Sequence, residues 1–445
     1  MKKIISGAVV IISVISVILI CSFTNKSEEA SKQMNTIAEK YVKLVLRVGQ
    51  YAPNYVDAYF GPEEWQPAES NKEDTFPYDK FIGEADDLIN SLDKIDDSAL
   101  DKILLQRKHV LAKQLIAAKT KIEMTNGKKF SFDEETSKLY DAVAPVHTDE
   151  YFQAIIDKLD KELPGKGDIN TRWENFRKDF LVPEEKLDTV FKTAVKECRK
   201  RTLQHFDLPA GESYNVEYVK GQSWGAYNWY KGNSHSLLQV NTDFPIFISR
   251  IIDLASHEGY PGHHVRNIML DQVLYHKNGW VEYSINLLFN PMSPIDEGSA
   301  NYGIEVAFPG KERIEFEKKV LFPLAGIDSS KAEKYYEISD LMNGLKYTST
   351  EAARKFINNE MSLDELTGWY SKYSLYSPEK AKSSLRFIET YRGYIINYTV
   401  GKEVVANYIE SNGGTEENPE KRWQLFKELI STPHTVSDLV ASTKK

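Results

Sequence analysis

The sequence predicts a mostly α-helical protein with a small β-sheet. Two observations carry this: apolar residues recur at spacings of three and four over most of the 445 residues, while alternation at spacing two is confined to two short runs. A chain of this length buries a large core, and its hydrophobic and charged fractions, 41% and 27%, are ordinary for a globular protein.

The chain opens on Met1-Lys2-Lys3 and runs from Ile4 to Thr24 without a charge, rich in Ile and Val. Residues 1–24 read as an export signal whose apolar part is long enough to span a bilayer, with the two lysines held inside. It serves as an uncleaved anchor, as a lipoprotein signal through Cys21, or as a cleaved leader of a secreted form. Ile20 stands where a lipoprotein box expects a small residue. Each fate places the remaining chain outside the cytoplasm. Residues 25–36 form a polar tether.

Residues 37–206 form a helical N-terminal region. Ile37, Tyr41, Leu44 and Val45 begin a helical pattern that returns in 81–92, 99–124, 149–163 and 184–206, with turn signals at 59–65 and 126–129. Here His109, His147 and His205 stand alone, and the region reads as scaffold, one wall of a cleft. Residues 207–445 form the catalytic-type region. Two strands are expected at 214–219 and 237–242, flanking the aromatic run Trp224-Gly225-Ala226-Tyr227-Asn228-Trp229-Tyr230. Those rings either pack the sheet or make a wall that meets substrate. Helices resume from 246. One starts near Asp296 after the prolines of 290–294, and Gly298 and Gly303 inside it call for close packing against another backbone. A last long helix is expected over 377–410, with Phe387, Tyr391, Tyr394 and Tyr398 in one stripe and Arg386 beside it.

The net charge of −9 and the absence of a basic stripe exclude nucleic-acid binding by phosphate neutralisation. The two cysteines, Cys21 and Cys198, offer neither a disulfide framework nor a thiolate metal site.

The chemistry concentrates in His257-Glu258-Gly259-Tyr260-Pro261-Gly262-His263-His264, which holds three of the nine histidines. Imidazoles to hold zinc and a carboxylate to take a proton from water are what a hydrolytic zinc site needs. In an unbroken helix the second His, at i+6 or i+7, would lie about 9–10 Å further along the axis, too far to share an ion. Pro261 and Gly262 are therefore expected to interrupt the helix and bring His263 to His257. Glu297 is the expected third ligand and Glu258 the general base. His264 either replaces His263 or contacts substrate, as could Glu305 and Asp253 from supporting positions. Tyr394, Tyr398 and Arg386 are suited to steady an oxyanion.

These motifs resemble the bacterial domain-of-unknown-function-885 family. The octapeptide is similar to its His-Glu-x-x-Pro-Gly-His-His signature, Glu297-Gly298-Ser299-Ala300-Asn301-Tyr302 with Glu305 to its Glu-Gly-Trp-Ala-x-Tyr-x-x-Glu element, and Leu238-Gln239-Val240-Asn241-Thr242 to a strand before its metal helix. The stretch from Tyr391 to Gly401 resembles a late Pro-Gly-Gln-Ala-x-x-Tyr-x-x-Gly element. Ser299 and Arg392-Gly393 depart from the pattern, which implies an altered substrate pocket. The resemblance, good over roughly 215–405, implies a helical, gluzincin-like zinc metallopeptidase: a zincin-like fold with a substrate cleft, one zinc ion and a peptide substrate, with Asn241 and Tyr302 supporting the site. Two other readings remain: a zinc amidase or ester hydrolase acting on cell-wall or other small substrates, and a non-catalytic extracytoplasmic binding protein with a vestigial metal site. The base Glu258 disfavours the last, since a structural zinc needs none.

Overall fold

A computed structural model describes residues 26–70, 72–222 and 224–443 with their side chains; the side chains of the expected anchor, 1–24, lie outside those described. Among the described residues no helix is long and apolar enough to cross a membrane. The fold is mostly helical with a small sheet, as the periodicities require.

The first half contributes α1 (Lys2–Gly49), β1 (Val56–Tyr59), α2 (Tyr78–Asp93), α3 (Lys102–Thr125), α4 (Phe132–Tyr140), α5 (Asp149–Glu162), α6 (Ile169–Arg177) and α7 (Glu184–Thr202). Capping side chains set several of the starts: Asp101 accepts from Leu104 N at 2.9 Å, and Ser131 and Glu134 form a reciprocal capping box. Strand β1 was not expected, since residues 56–59 lie beside a turn signal and carry no alternation.

The second half begins with β2 (Ser213–Val219), β3 (Ala226–Tyr230) and β4 (His235–Asn241). Their order is β2-β4-β3, with β2 parallel and β3 antiparallel to β4. The aromatic run is thus itself a strand, and it forms one edge of the sheet. Helices α8 (Ile248–Leu254) and α9 (His263–Met269) flank the octapeptide; β5 (Ile285–Leu287) pairs antiparallel with β1; α10 (Ser293–Ala307) follows. Then come α11 (Glu312–Phe316), α12 (Phe322–Ala325), α13 (Ala332–Asn343), α14 (Thr348–Ile357), α15 (Leu363–Tyr373), α16 (Pro378–Tyr391), α17 (Ile396–Ser411), α18 (Pro419–Ser431) and α19 (Val436–Ser442). The main apolar core draws residues from Ala30 to Leu439, and a smaller cluster with Val110, Leu274 and Trp280 lies apart from it.

The helix expected over 377–410 is broken. Arg392 adopts φ 52°, and a short 3-10 turn, Arg392–Ile395, separates α16 from α17. The cause is Glu135 of α4, fully buried, which accepts from Arg392 Nε at 2.9 Å and from the Gly393 amide at 3.1 Å. A buried carboxylate left without donors is costly, so its demand outweighs local helix propensity.

Of the two glycines expected to pack against backbone in α10, Gly298 does so, whereas Gly303 faces the side chains of Pro261 and Phe426. A Cβ on Gly298 would stand 2.3 Å from the Gly401 carbonyl, and one on Gly401 would stand 2.1 Å from Pro294 O. Helices α10 and α17 therefore cross backbone to backbone, which places Glu297 opposite Tyr394 and Tyr398.

Candidate metal centre

The octapeptide breaks its helix in two ways. After α8, residues Ala255–Gly259 widen into a π-helical turn, in which Tyr260 N donates to Ala255 O at 3.3 Å. Then the chain leaves the helix at Tyr260–Gly262 and restarts at His263. Only glycine fits at 262: a Cβ there would lie 2.1 Å from His257 O and 2.3 Å from Ser256 O. The restart turns His263 back, so that its Nε2 lies 3.1 Å from His257 Nε2, with the two rings at 89°.

Glu297 completes the cluster from α10. Its Oε2 is 3.1 Å from His257 Nε2 and 3.6 Å from His263 Nε2. The other polar atoms of His257 and Glu297 are already engaged. Asn301 Oδ1, one turn along α10, accepts from His257 Nδ1 at 3.2 Å, which leaves Nε2 facing the cluster, and Tyr394 OH donates to Glu297 Oε1 at 2.8 Å. Glu297 Oε2 is buried and faces the two imidazole nitrogens. Tetrahedral zinc ligation sets first-shell atoms roughly 3.3 Å apart, so the three side chains suit such an ion, and one ligand atom from each lies within 4.8 Å of the others.

The charged groups of the cluster perturb one another strongly. Burial alone would lower the His263 pKa, but its bond to Glu297 and the charges of Glu297 and Glu258 lift it to about 9. Glu297 is raised by burial, yet the two imidazoles hold it well below the usual carboxylate range. Glu258, 5% exposed, is pushed up by burial against the opposing effect of His257 and His263. Its backbone carbonyl accepts from Asn228 Nδ2 of β3 at 2.6 Å, which ties the sheet edge to the cluster.

The cluster opens into a cavity of about 580 Å³ whose wall includes Glu258, Tyr398, Phe387, Trp224 and Tyr227, together with Asp57 and Val56 of β1. The first half does supply one wall.

Several expected site residues lie elsewhere. His264, next in sequence to His263, points the other way: it is fully buried, with Nδ1 2.7 Å from Ser236 Oγ and Nε2 3.4 Å from Glu212, so it neither joins the cluster nor meets substrate. Arg386 is exposed and off the cavity wall, because the stripe through Phe387 faces inward one residue later. Glu305 pairs with Lys402 at 2.7 Å and Asp253 with Arg313 at 2.9 Å, both away from the cavity. Tyr302 donates to Glu410 at 3.1 Å on the far side of α10. Asn241 acts at one remove, since its Nδ2 donates to Gln222 O and Trp224 O and fixes the loop that brings Trp224 to the wall. Tyr394 spends its hydroxyl on Glu297. Tyr398 lies with its ring 6.5 Å from that of His257, on the cavity wall.

Residues that sequence reasoning passed over are Asp57, Asn228, Asn301 and Glu135. Asn301 lies at i+4 from Glu297, a spacing that could have flagged it.

No family model and no curated protein matches the chain. Among solved structures, it resembles a candidate lipoprotein from Colwellia psychrerythraea at 13% identity and TM-score 0.49, over 82% of this chain and 66% of that one. The chain thus spans about two thirds of that neighbour's length. A candidate lipoprotein of unknown function from Shewanella oneidensis matches at 12% identity and TM-score 0.47, over 83% of this chain and 73% of that one.

Proposed function

We propose that this chain is a zinc-dependent metallopeptidase of the domain-of-unknown-function-885 type, with a zincin-like cleft, working outside the cytoplasm and tethered there through its N-terminal segment. The convergence of His257, His263 and Glu297, with Glu258 on the same cavity wall, is the observation that supports it. Bound by those three side chains, zinc would acidify a water to a pKa of about 7 and polarise the scissile carbonyl. Glu258, on the cavity wall beside the cluster, accepts the proton of the attacking water and passes it to the leaving amine. Tyr398 donates its hydroxyl to the developing oxyanion, while Tyr394 holds Glu297 in place. The β3 edge offers main-chain groups to an extended peptide beside the cluster.

The test uses the full-length chain, with bound zinc and digestion of a peptide library measured together. Glu258→Gln should keep its zinc and lose about 10²- to 10⁴-fold in rate, and Glu297→Ala should lose the zinc. If both variants match the wild type in metal and hydrolysis, the assignment is wrong. Zinc binding with amide or ester cleavage but no peptide cleavage would mark the amidase or esterase reading, and zinc binding with no turnover the binding protein.

A further inference from the structure

Five carboxylates line the cavity: Asp57, Glu258, Glu282, Asp296 and Glu297. Four have evident work or partners. Glu282 accepts from Arg107 at 2.6 and 3.0 Å, Asp296 pairs with Arg266, Glu297 faces the imidazoles, and Glu258 stands beside them. Asp57 has no such partner. The Tyr227 hydroxyl of β3 donates to its Oδ1, and among the described residues no lysine or arginine pairs with it. No lysine lines the cavity, and its one arginine, Arg266, is taken by Asp296. A dication on the three ligands would be matched by Glu297 and Glu258, leaving Asp57 as the uncompensated negative charge.

The backbone aims this side chain. The β1–β5 register shifts between Val56 and Ala58, so Asp57 is the extra residue of a bulge. Bulges redirect side chains and gather beside active sites. Here the bulge points a carboxylate into a pocket that holds the metal cluster on one side and Tyr227 on another. Desolvation raises the Asp57 carboxyl, the hydrogen bond from Tyr227 and the charge of His263 oppose the shift, and Glu297 adds to it.

We propose that Asp57 receives a protonated amine of the substrate, either a free peptide N-terminus or a lysine side chain. This rests on the peptidase reading for what the cavity holds, though the binding itself needs no metal. A carboxylate and an ammonium in a pocket partly closed to water form a charge-assisted pair whose loss is felt in binding.

The metal-free full-length chain is titrated calorimetrically with three probes: Ala-Ala-Ala amide, its N-acetyl form, and N-acetyl-Lys-Ala-Ala amide. The wild type should bind at least one amine-bearing probe more tightly than the neutral one, and Asp57→Asn should remove roughly 10- to 100-fold of that preference while leaving the neutral probe unchanged. Asn keeps the shape and the acceptor for Tyr227, and unaltered binding of the neutral probe shows that the variant is folded. Which amine loses affinity identifies the source: the α-amine marks an enzyme that works from free N-termini, the lysine amine one that selects basic side chains. In the zinc-loaded protein the same variant should raise KM for that substrate with kcat changed less than about threefold. The proposal is overturned if the wild type shows no preference for amines, if Asp57→Asn keeps the preference, or if it weakens all three probes alike. Failure of zinc binding or hydrolysis with the amine preference intact would count against the peptidase reading alone.

Discussion

Gly401→Ala tests whether the crossing of α10 and α17 sets the metal centre. The added Cβ would stand 2.1 Å from Pro294 O and 2.9 Å from its carbonyl carbon, both backbone atoms that cannot turn aside. A relaxed C···O contact needs roughly 3.3 Å, so the helices must part by about 1.2 Å at this point. Pro294 lies one turn before Glu297, and metal ligands tolerate displacements of only about 0.2 Å. The expected outcome is a stability loss of about 1–3 kcal/mol from overpacking, seen as a lower urea midpoint with unchanged slope. With it should come a fall in zinc affinity of at least about tenfold in a chelator-competition titration. Gly83→Ala is the control: it lies inside α2 with nothing within 4 Å of its added Cβ, and should stabilise by about 0.5–1 kcal/mol with no effect on zinc. If Gly401→Ala unfolds at the wild-type urea concentration and keeps wild-type zinc affinity, the claim that this crossing fixes Glu297 is refuted.

Three further outcomes are expected. Tyr394→Phe strips the donor from Glu297 Oε1 and should weaken zinc binding about 10- to 100-fold with little change in fold, measured by the same competition titration. Glu135→Gln removes the charge that holds Arg392 and Gly393, and should cost about 2 kcal/mol in urea unfolding and lower kcat through a displaced Tyr398. His434 is held by burial at a pKa of about 4, below its ordinary 6.5. The unfolded chain therefore binds a proton first as the pH drops, and stability is full above about 6.5 and lost down to about 4. The loss reaches on the order of 3 kcal/mol, and His434→Gln should flatten it in melts run across that interval.

The meeting of His257, His263 and Glu297 was legible because its pattern is written locally. Eight consecutive residues carry both histidines, Glu258 and the Pro-Gly break, and Glu297 is marked by the glycine beside it. β4 was legible because Leu238 and Val240 alternate with residues on the open face. What stayed hidden depends on distant partners. Strands of four and three residues, Val56–Tyr59 and Ile285–Leu287, show no period of their own and exist only as a pair, so neither β1 nor the bulge at Asp57 can be read from the neighbourhood of either. The break at Arg392 is dictated by Glu135, and nothing near Arg392 announces it. His264 misled for the opposite reason: adjacency in sequence puts it about 100° around the helix from His263, toward the sheet rather than the cavity.

The β1–β5 pairing also sets an order of events. A ribosome releases the chain from its N-terminus, so β1 is out and unpaired long before Ile285–Leu287 exists to meet it. Until then its edge is open to any other strand. The octapeptide is likewise made before Glu297, Tyr394 and α17, so its two histidines are presented before the carboxylate that completes the set. Closure of such distant segments is slow compared with helix formation. The cavity can therefore close only after β5, α10 and α17 have all been made.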